Sequence, residues 1–209
     1  WSRIATDEQR QMMTLFIPTE CSNMDLDDRG FIYTTVSGGE INIEQVIRKL
    51  NPAGVDVLKR NGVHPPMGDI NVGDDLLAIS EITGSSLLVD IVYRDNSTYS
   101  VLDQRRGRIF TYDSNGNLLY VFGGVGQEVG LFLNPVAVEQ IGNQLLVLDS
   151  RSNSITVFEP TTYALLIHSA IDEYNRGNYD VSAKFWHQVI TLDANNELAY
   201  SGVGDVHLR

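Results

Sequence analysis

A block of this sequence occurs twice at nearly the same spacing, and the repeat constrains the fold more than any other feature. The two copies span residues 101–113 and 147–159. Each begins with Val-Leu-Asp, and a second acid follows ten residues after that Asp, at Asp113 and at Glu159. Repeats at this scale are supersecondary units that bury their apolar faces by stacking on copies of themselves. The sequence therefore predicts a repeat architecture.

Short apolar runs bounded by Asn, Asp and Gly continue the pattern on both sides of the two copies. Runs of this kind are typical of strands joined by tight turns. Asn51 and Asp113 open corresponding turns in the first and second units, and the loop between Gly38 and Pro66 makes the first unit longer. Four short strands in about 45 residues are typical of one propeller blade. The predicted strands are 24–26, 31–36, 47–50, 55–58, 89–93, 99–102, 109–112, 118–122, 136–138, 145–148 and 155–158.

Composition excludes several classes of protein. The 209 residues carry a formal net charge of −12, whereas nucleic-acid binding needs a basic surface, so we expect no nucleic-acid partner. No run approaches the ~18 apolar residues of a membrane helix, so we expect no transmembrane segment. Cys21 is the only cysteine, which excludes an intrachain disulfide. The chain lacks an initiator Met and stops within a predicted helix, so we expect a fragment of a longer protein.

The passage from the second unit to the third carries the string Gly130-x-Phe-x-x-Pro135-x-Ala-Val. It is followed by Leu-Leu-Val-Leu-Asp-Ser-x-x-Asn-x-Ile-x-Val-Phe, which ends at Phe158. These strings resemble NHL-repeat β-propellers, and the resemblance covers roughly residues 16–160. It implies a mainly β fold, in which about three four-stranded blades form a partial propeller.

From Thr161 the apolar residues recur at helical spacing. Helices are predicted over 163–174 and 179–192, with a stop at Gly177, and a third begins at Glu197. The pattern Gly-Asn-Tyr at 177–179, Ala183, Trp186 and Leu-Asp-Ala-Asn-Asn at 192–196 resembles a tetratricopeptide repeat (TPR). The resemblance implies a TPR-like helical pair, truncated, over residues 161–209. We interpret residues 1–15 as a helical connector.

No motif predicts catalysis, a cofactor or a metal site. The stretch from Asp25 to Gly30 resembles the start of a calcium loop, but the twelfth position is Val36, so a hairpin turn is favoured. No His stands at ligand spacing from a Cys or Glu. The four histidines are His64, His168, His187 and His207.

Two sets of candidate binding residues follow from the resemblances. Calcium-dependent gluconolactonase-type propellers place Glu, Asn and Asp at a central channel, and the corresponding channel-facing candidates are Glu20, Asn23, Asp90 and Asn134. A water-lined channel is favoured over a metal or substrate site, because polar residues line propeller channels in general. In TPR proteins the first helix of each repeat lines a peptide-binding surface, which implies binding residues Ile171, Tyr174, Asn175, Ser201 and Asp205. Alternatively, these five pack on the propeller or on further repeats.

The sequence thus predicts a non-catalytic binding or scaffold protein with a protein or peptide partner. The alternative is a lactonase-like, divalent-metal-dependent hydrolase or a sugar-acid-binding propeller. Three blades leave open sheet edges, so we also expect self-association through those edges or their coverage by the helices. The combination resembles bacterial proteins, and we expect an extracytoplasmic or cell-surface location.

Overall fold

The computed structural model describes residues 21–36, 45–69, 84–94 and 97–207. The first sheet contains β1 (Cys21–Leu26), β2 (Ile32–Val36) and β3 (Ile47–Leu50). The second contains β4 (Leu88–Arg94), β5 (Thr98–Asp103), β6 (Arg108–Asp113) and β7 (Leu118–Gly123). The third contains β8 (Pro135–Ile141), β9 (Gln144–Asp149) and β10 (Ser154–Phe158). Three helices follow: α1 (Thr162–Asn175), α2 (Tyr179–Leu192) and α3 (Glu197–His207).

Each sheet is antiparallel, its strands follow one another in chain order, and none of the three sheets is closed. The mainly β class and the C-terminal helices are therefore confirmed. Within the described residues only the second sheet has four strands. The predicted strand at 55–58 is reduced to one bridge between Leu50 and Asp56, and the third sheet ends at β10. The predicted connector at 1–15 lies outside the described residues.

One turn chemistry recurs in three hairpins. In each, the side-chain Oδ1 of the first residue accepts hydrogen bonds from the backbone N–H groups two and four positions later, at 2.9–3.0 Å. These first residues are Asp27, Asn51 and Asp113. The fourth residue is a glycine with φ of 79° to 85°, a conformation that costs glycine little. The predicted correspondence of Asn51 and Asp113 is confirmed, and the stretch that resembled a calcium loop forms a hairpin turn.

The Asp of each repeated Val-Leu-Asp block has the same structural role. Asp103 Oδ1 accepts the backbone N–H groups of Leu87, before β4, and of Arg105, in the turn after β5. Asp149 likewise accepts the backbone N–H groups of Leu133 and Asn134, before β8, and of Arg151, in the turn after β9. The register repeats as well, because Val101 lies opposite Phe110 and Val147 lies opposite Thr156, 46 residues further on in each case. The sequence repeat is therefore a repeat of structure.

The buried apolar residues form three clusters. The first lies between the first two sheets and includes Tyr33 and Tyr99. The second lies between the second and third sheets and includes Phe132 and Val147. The third joins the helices to Leu119 of β7. Strand β4 contacts β1 and β2 on one side and β8 on the other, so the three sheets are stacked in chain order.

The helices begin and end where the sequence predicts. Thr161 caps α1 through its hydroxyl, which accepts the backbone N–H of Ala164 at 3.3 Å. Gly177 follows α1 with φ of 82°, and its N–H donates to the carbonyl of Tyr174 at 3.0 Å, as in many glycine-terminated helices. No helix within the described residues has the length and apolar character needed to cross a membrane.

Gly202 is the point at which α3 approaches the buried Trp186 of α2. A Cβ at this position would lie 2.6 Å from Cε2 of the indole ring, closer than real contacts allow. We expect Gly202→Ala to lower the free energy of unfolding by about 1–2 kcal/mol, because overpacking outweighs the gain in helix propensity. Gly204→Ala is the matched control: a Cβ there meets no atom within 4 Å, so this variant should be slightly more stable. Thermal unfolding followed by circular dichroism measures both, and equal stabilisation would contradict the predicted clash.

Candidate functional site

A cleft of about 400 Å³ lies where the outer parts of the second and third sheets meet α1. We call it the junction cleft. Strand β7, the start of β9, the end of β10 and the first turn of α1 form its walls. These walls include Val121, Phe122, Leu145, Phe158, Tyr163 and Ala164. The volume falls within the range of roughly 300–1,000 Å³ that small-molecule sites occupy.

Aromatic contacts fix the wall between the two sheets. The rings of Phe122 and Phe158 meet edge to face with centroids 4.9 Å apart, and Phe158 also contacts Phe132 at 5.9 Å. Tyr120 lies next to Phe122 on β7, at 6.2 Å. Edge-to-face pairs of this kind are favourable beyond their buried area. The cleft is therefore preformed by rigid side chains.

Arg94, the last residue of β4, lines the junction cleft and is only 5% exposed. Its guanidinium donates three hydrogen bonds, to Gln140 Oε1 at 2.9 Å, to Tyr120 Oη at 3.2 Å and to the carbonyl of Asn143 at 3.2 Å. All three acceptors are neutral. Among the ion pairs of the described residues, none includes Arg94. Within the described part of the chain, a buried positive charge thus lies at the cleft without a carboxylate partner.

His168 of α1 completes a buried polar group with Arg94 and Tyr120, which we call the Arg94 cluster. His168 Nε2 and Tyr120 Oη are 2.8 Å apart. Burial and the positive charge of Arg94 lower the pKa of His168 to about 4. Burial raises the pKa of Tyr120, although Arg94 acts in the opposite direction. At neutral pH both rings are therefore uncharged, and the cluster carries the single positive charge of Arg94.

Of the predicted channel-facing residues, the structure brings Asn23 and Asp90 together. Asp90 is 3% exposed, and its two oxygens accept the backbone N–H of Ile91 at 2.8 Å and that of Val138 in β8 at 2.7 Å. The Asn23 side chain also hydrogen bonds to Asp90. Burial raises the pKa of Asp90, while these hydrogen bonds oppose the shift. The carboxylate therefore joins the second sheet to the third.

The other two channel candidates lie apart from this pair or outside the described residues. Asn134 precedes β8, and its Nδ2 donates to Ser150 Oγ at 2.8 Å in the turn after β9. Glu20 lies outside the described residues. Sequence reasoning missed Asp25, whose Oδ2 accepts the backbone N–H of Tyr93 in β4 at 2.7 Å. Asp25 thus joins the first sheet to the second as Asp90 joins the second to the third.

The five helical candidates are divided between the interior and the surface. Ile171 is buried in the cluster that joins the helices to β7. Tyr174 is half-buried, and its ring meets that of Tyr179 edge to face at 5.3 Å. The remaining three, Asn175, Ser201 and Asp205, are exposed. Among the described residues, no three His, Cys, Asp or Glu side chains converge on one point.

Comparison with known proteins adds little to these observations. Neither a protein-family model nor a curated protein matches the sequence. The computationally designed Ika4 protein is similar at 10% identity with a TM-score of 0.41, over 68% of this chain and 67% of that chain. The computationally designed Ika8 protein is similar at 11% identity with a TM-score of 0.42, over 70% of this chain and 35% of that chain. Similarity at this level carries no conclusion about fold or function.

Proposed function

We propose that this chain is a non-catalytic binding and scaffold protein, formed by NHL-type propeller blades and a TPR-type helical repeat. The observation that supports the proposal best is the junction cleft, which is preformed, mostly apolar and lined by one buried charged side chain. Binding sites for small ligands combine apolar walls with a few polar groups that orient the ligand. The cleft lies between the two parts of the chain, so its occupant would contact both.

The connections between the sheets support the propeller part of this proposal. In a propeller the first strand of each blade faces those of its neighbours around a central axis. Here β4 contacts both β1 and β8. Asp25 and Asp90 each lie in the first strand of a sheet and accept a backbone N–H from the first strand of the next. This recurring connection supports the proposal that the sheets are radially arranged blades.

Two surfaces are proposed for macromolecular partners. The exposed residues Asn175, Ser201 and Asp205 would belong to a surface for a protein or peptide. The third sheet exposes Ile155 and Val157 on its outer strand β10. Exposed apolar edge strands pair readily with other chains, so we propose self-association through this edge.

A fragment screen by ligand-observed NMR tests the proposed binding function. We expect fragments with an aromatic ring to bind the junction cleft with Kd values of about 1 mM, which is typical of small ligands in apolar sites. Val121→Trp, which fills the cleft from β7, should abolish this binding. Val55→Trp is the control, because Val55 is also exposed but follows the turn after β3 and does not line the cleft.

Two outcomes would contradict this function. One is binding that Val121→Trp and Val55→Trp affect equally, because the fragments would then not occupy the cleft. The other is stoichiometric calcium in the purified protein, measured by elemental analysis, together with lactone hydrolysis that a chelator abolishes. That result would favour the lactonase-like hydrolase. The engagement of both Asp90 oxygens by backbone N–H groups argues against this outcome.

A further inference from the structure

No carboxylate of the described residues forms an ion pair with Arg94. Burying a charged group is costly unless an opposite charge or a full set of hydrogen bonds accompanies it. A guanidinium has five N–H donors, and Arg94 uses three of them, on Nε, Nη1 and Nη2. One N–H on each terminal nitrogen has no acceptor among the described residues. A carboxylate accepts from such a pair of nitrogens through two parallel hydrogen bonds.

Among the described residues that line the junction cleft there is one carboxylate, and it is hydrogen bonded elsewhere. Glu159 lines the junction cleft, but its Oε1 accepts a hydrogen bond from Gln144 Nε2 at 2.9 Å. Glu159 is exposed, so its charge is hydrated. As far as the described residues are concerned, the positive charge at the cleft therefore remains available to a ligand.

The size of that charge selects the class of anion. The Arg94 cluster carries one positive charge at neutral pH, because His168 and Tyr120 are neutral there. A monocarboxylate balances one charge, whereas a phosphate monoester carries about −1.5 to −2 and would leave excess negative charge in a buried site. The cluster is thus matched to a single carboxylate.

The side chains that line the cleft indicate which kind of group the ligand carries besides its carboxylate. Phe122, Phe158 and Tyr163 present aromatic rings to the cleft, and Leu145 adds an aliphatic surface. Such walls favour a flat apolar body. We propose that the junction cleft binds a small organic monocarboxylate with a flat apolar body, and that Arg94 binds its carboxylate. This inference rests on the binding function proposed above and names its ligand class.

Isothermal titration calorimetry with matched probes tests this inference. At pH 7 we expect 3-phenylpropionate to bind at least about tenfold more tightly than 3-phenylpropionamide, because a hydrogen bond to a charged group contributes more than a neutral one. Phenyl phosphate should bind more weakly than the carboxylate. Arg94→Met should remove the preference for the acid over the amide. Arg151→Met is the control, because Arg151 is exposed in the turn after β9, outside the cleft.

A second variant keeps the test decisive if Arg94→Met does not fold. Arg94→Lys retains the positive charge but cannot donate two parallel hydrogen bonds to one carboxylate. We therefore expect the affinity for 3-phenylpropionate to fall about tenfold and the affinity for 3-phenylpropionamide to stay the same. Equal affinity of the wild-type protein for acid and amide, both blocked by Val121→Trp, would overturn the assignment of Arg94 but leave the binding function intact. Tighter binding of phenyl phosphate would overturn the choice of a monocarboxylate. Absence of binding by either 3-phenyl compound, together with a failed fragment screen, would overturn both proposals.

Discussion

Replacing Asp149 with alanine is expected to lower the free energy of unfolding by about 3 kcal/mol, because a buried, charged acceptor would be lost. Asp149 is 2% exposed and accepts the backbone N–H groups of Leu133, Asn134, Arg151 and Ser152 at 2.6–3.2 Å. These bonds join the segment before β8 to the turn after β9. Urea unfolding at pH 7 measures the loss.

The pH dependence of the same variant gives an independent check. Burial alone would raise the pKa of Asp149, but the four backbone N–H groups together lower it below its ordinary value. Its contribution is therefore present above the unfolded-state pKa of about 3.9 and is lost as the pH falls through the lower folded-state pKa. The difference between wild type and Asp149→Ala should shrink below pH 4. Asp28→Ala is the control, because Asp28 is exposed, and an equal loss in both variants would contradict the proposed role.

Acidification from pH 7 to pH 4 is expected to cost the fold about 3 kcal/mol through His168 alone, since its pKa falls from 6.5 to about 4 on folding. The direction of this pH effect follows from the number of protons that the folded and unfolded states bind. Between these two pKa values the unfolded chain binds a proton at His168 and the folded chain does not, so acid favours unfolding. Burial is the main cause of this shift, and the charge of Arg94 adds to it.

His168→Gln isolates this effect from the general acid sensitivity of the carboxylates. Glutamine cannot titrate and can still hydrogen bond to Tyr120, so the variant should lose less stability than wild type as the pH falls from 7 to 4. His187→Gln is the matched control, because His187 lies exposed on α2 and is not part of the Arg94 cluster. Parallel profiles for wild type and His168→Gln would contradict the neutral, buried state of His168.

Local sequence signals predicted much of the fold. The Asx residues of the hairpin turns form their bonds within four residues, and the Val-Leu-Asp blocks recur at a fixed spacing, so both could be recognised from the sequence. The prediction of a strand at 55–58 was wrong because of hydrogen bonds made by the side chain of Asp56. Asp56 Oδ1 accepts the backbone N–H groups of Leu58 at 3.0 Å and Lys49 at 3.3 Å, and Asp56 Oδ2 pairs with Arg60 at 2.8 Å. Side-chain bonds to the backbone compete with the ladder of a regular strand.

The junction cleft could not be found in the same way. Arg94 ends an apolar strand just before a turn, where a charged residue is ordinarily solvated. Its burial depends on Tyr120, Gln140 and Asn143, which lie 26, 46 and 49 residues later in the chain. No spacing rule connects residues at such separations, so only the packing of α1 and the outer strands reveals this site.

The carboxylates of Asp25 and Asp90 join neighbouring sheets through backbone N–H groups, so the receiving residue contributes no side-chain chemistry to the bond. Tyr93 and Val138 fill this role although they share neither shape nor polarity. Any residue except proline has the backbone N–H group that this bond needs. The joint between neighbouring sheets therefore depends on the carboxylate of one strand and the backbone of the next, and only loss of that carboxylate or of that N–H group removes it.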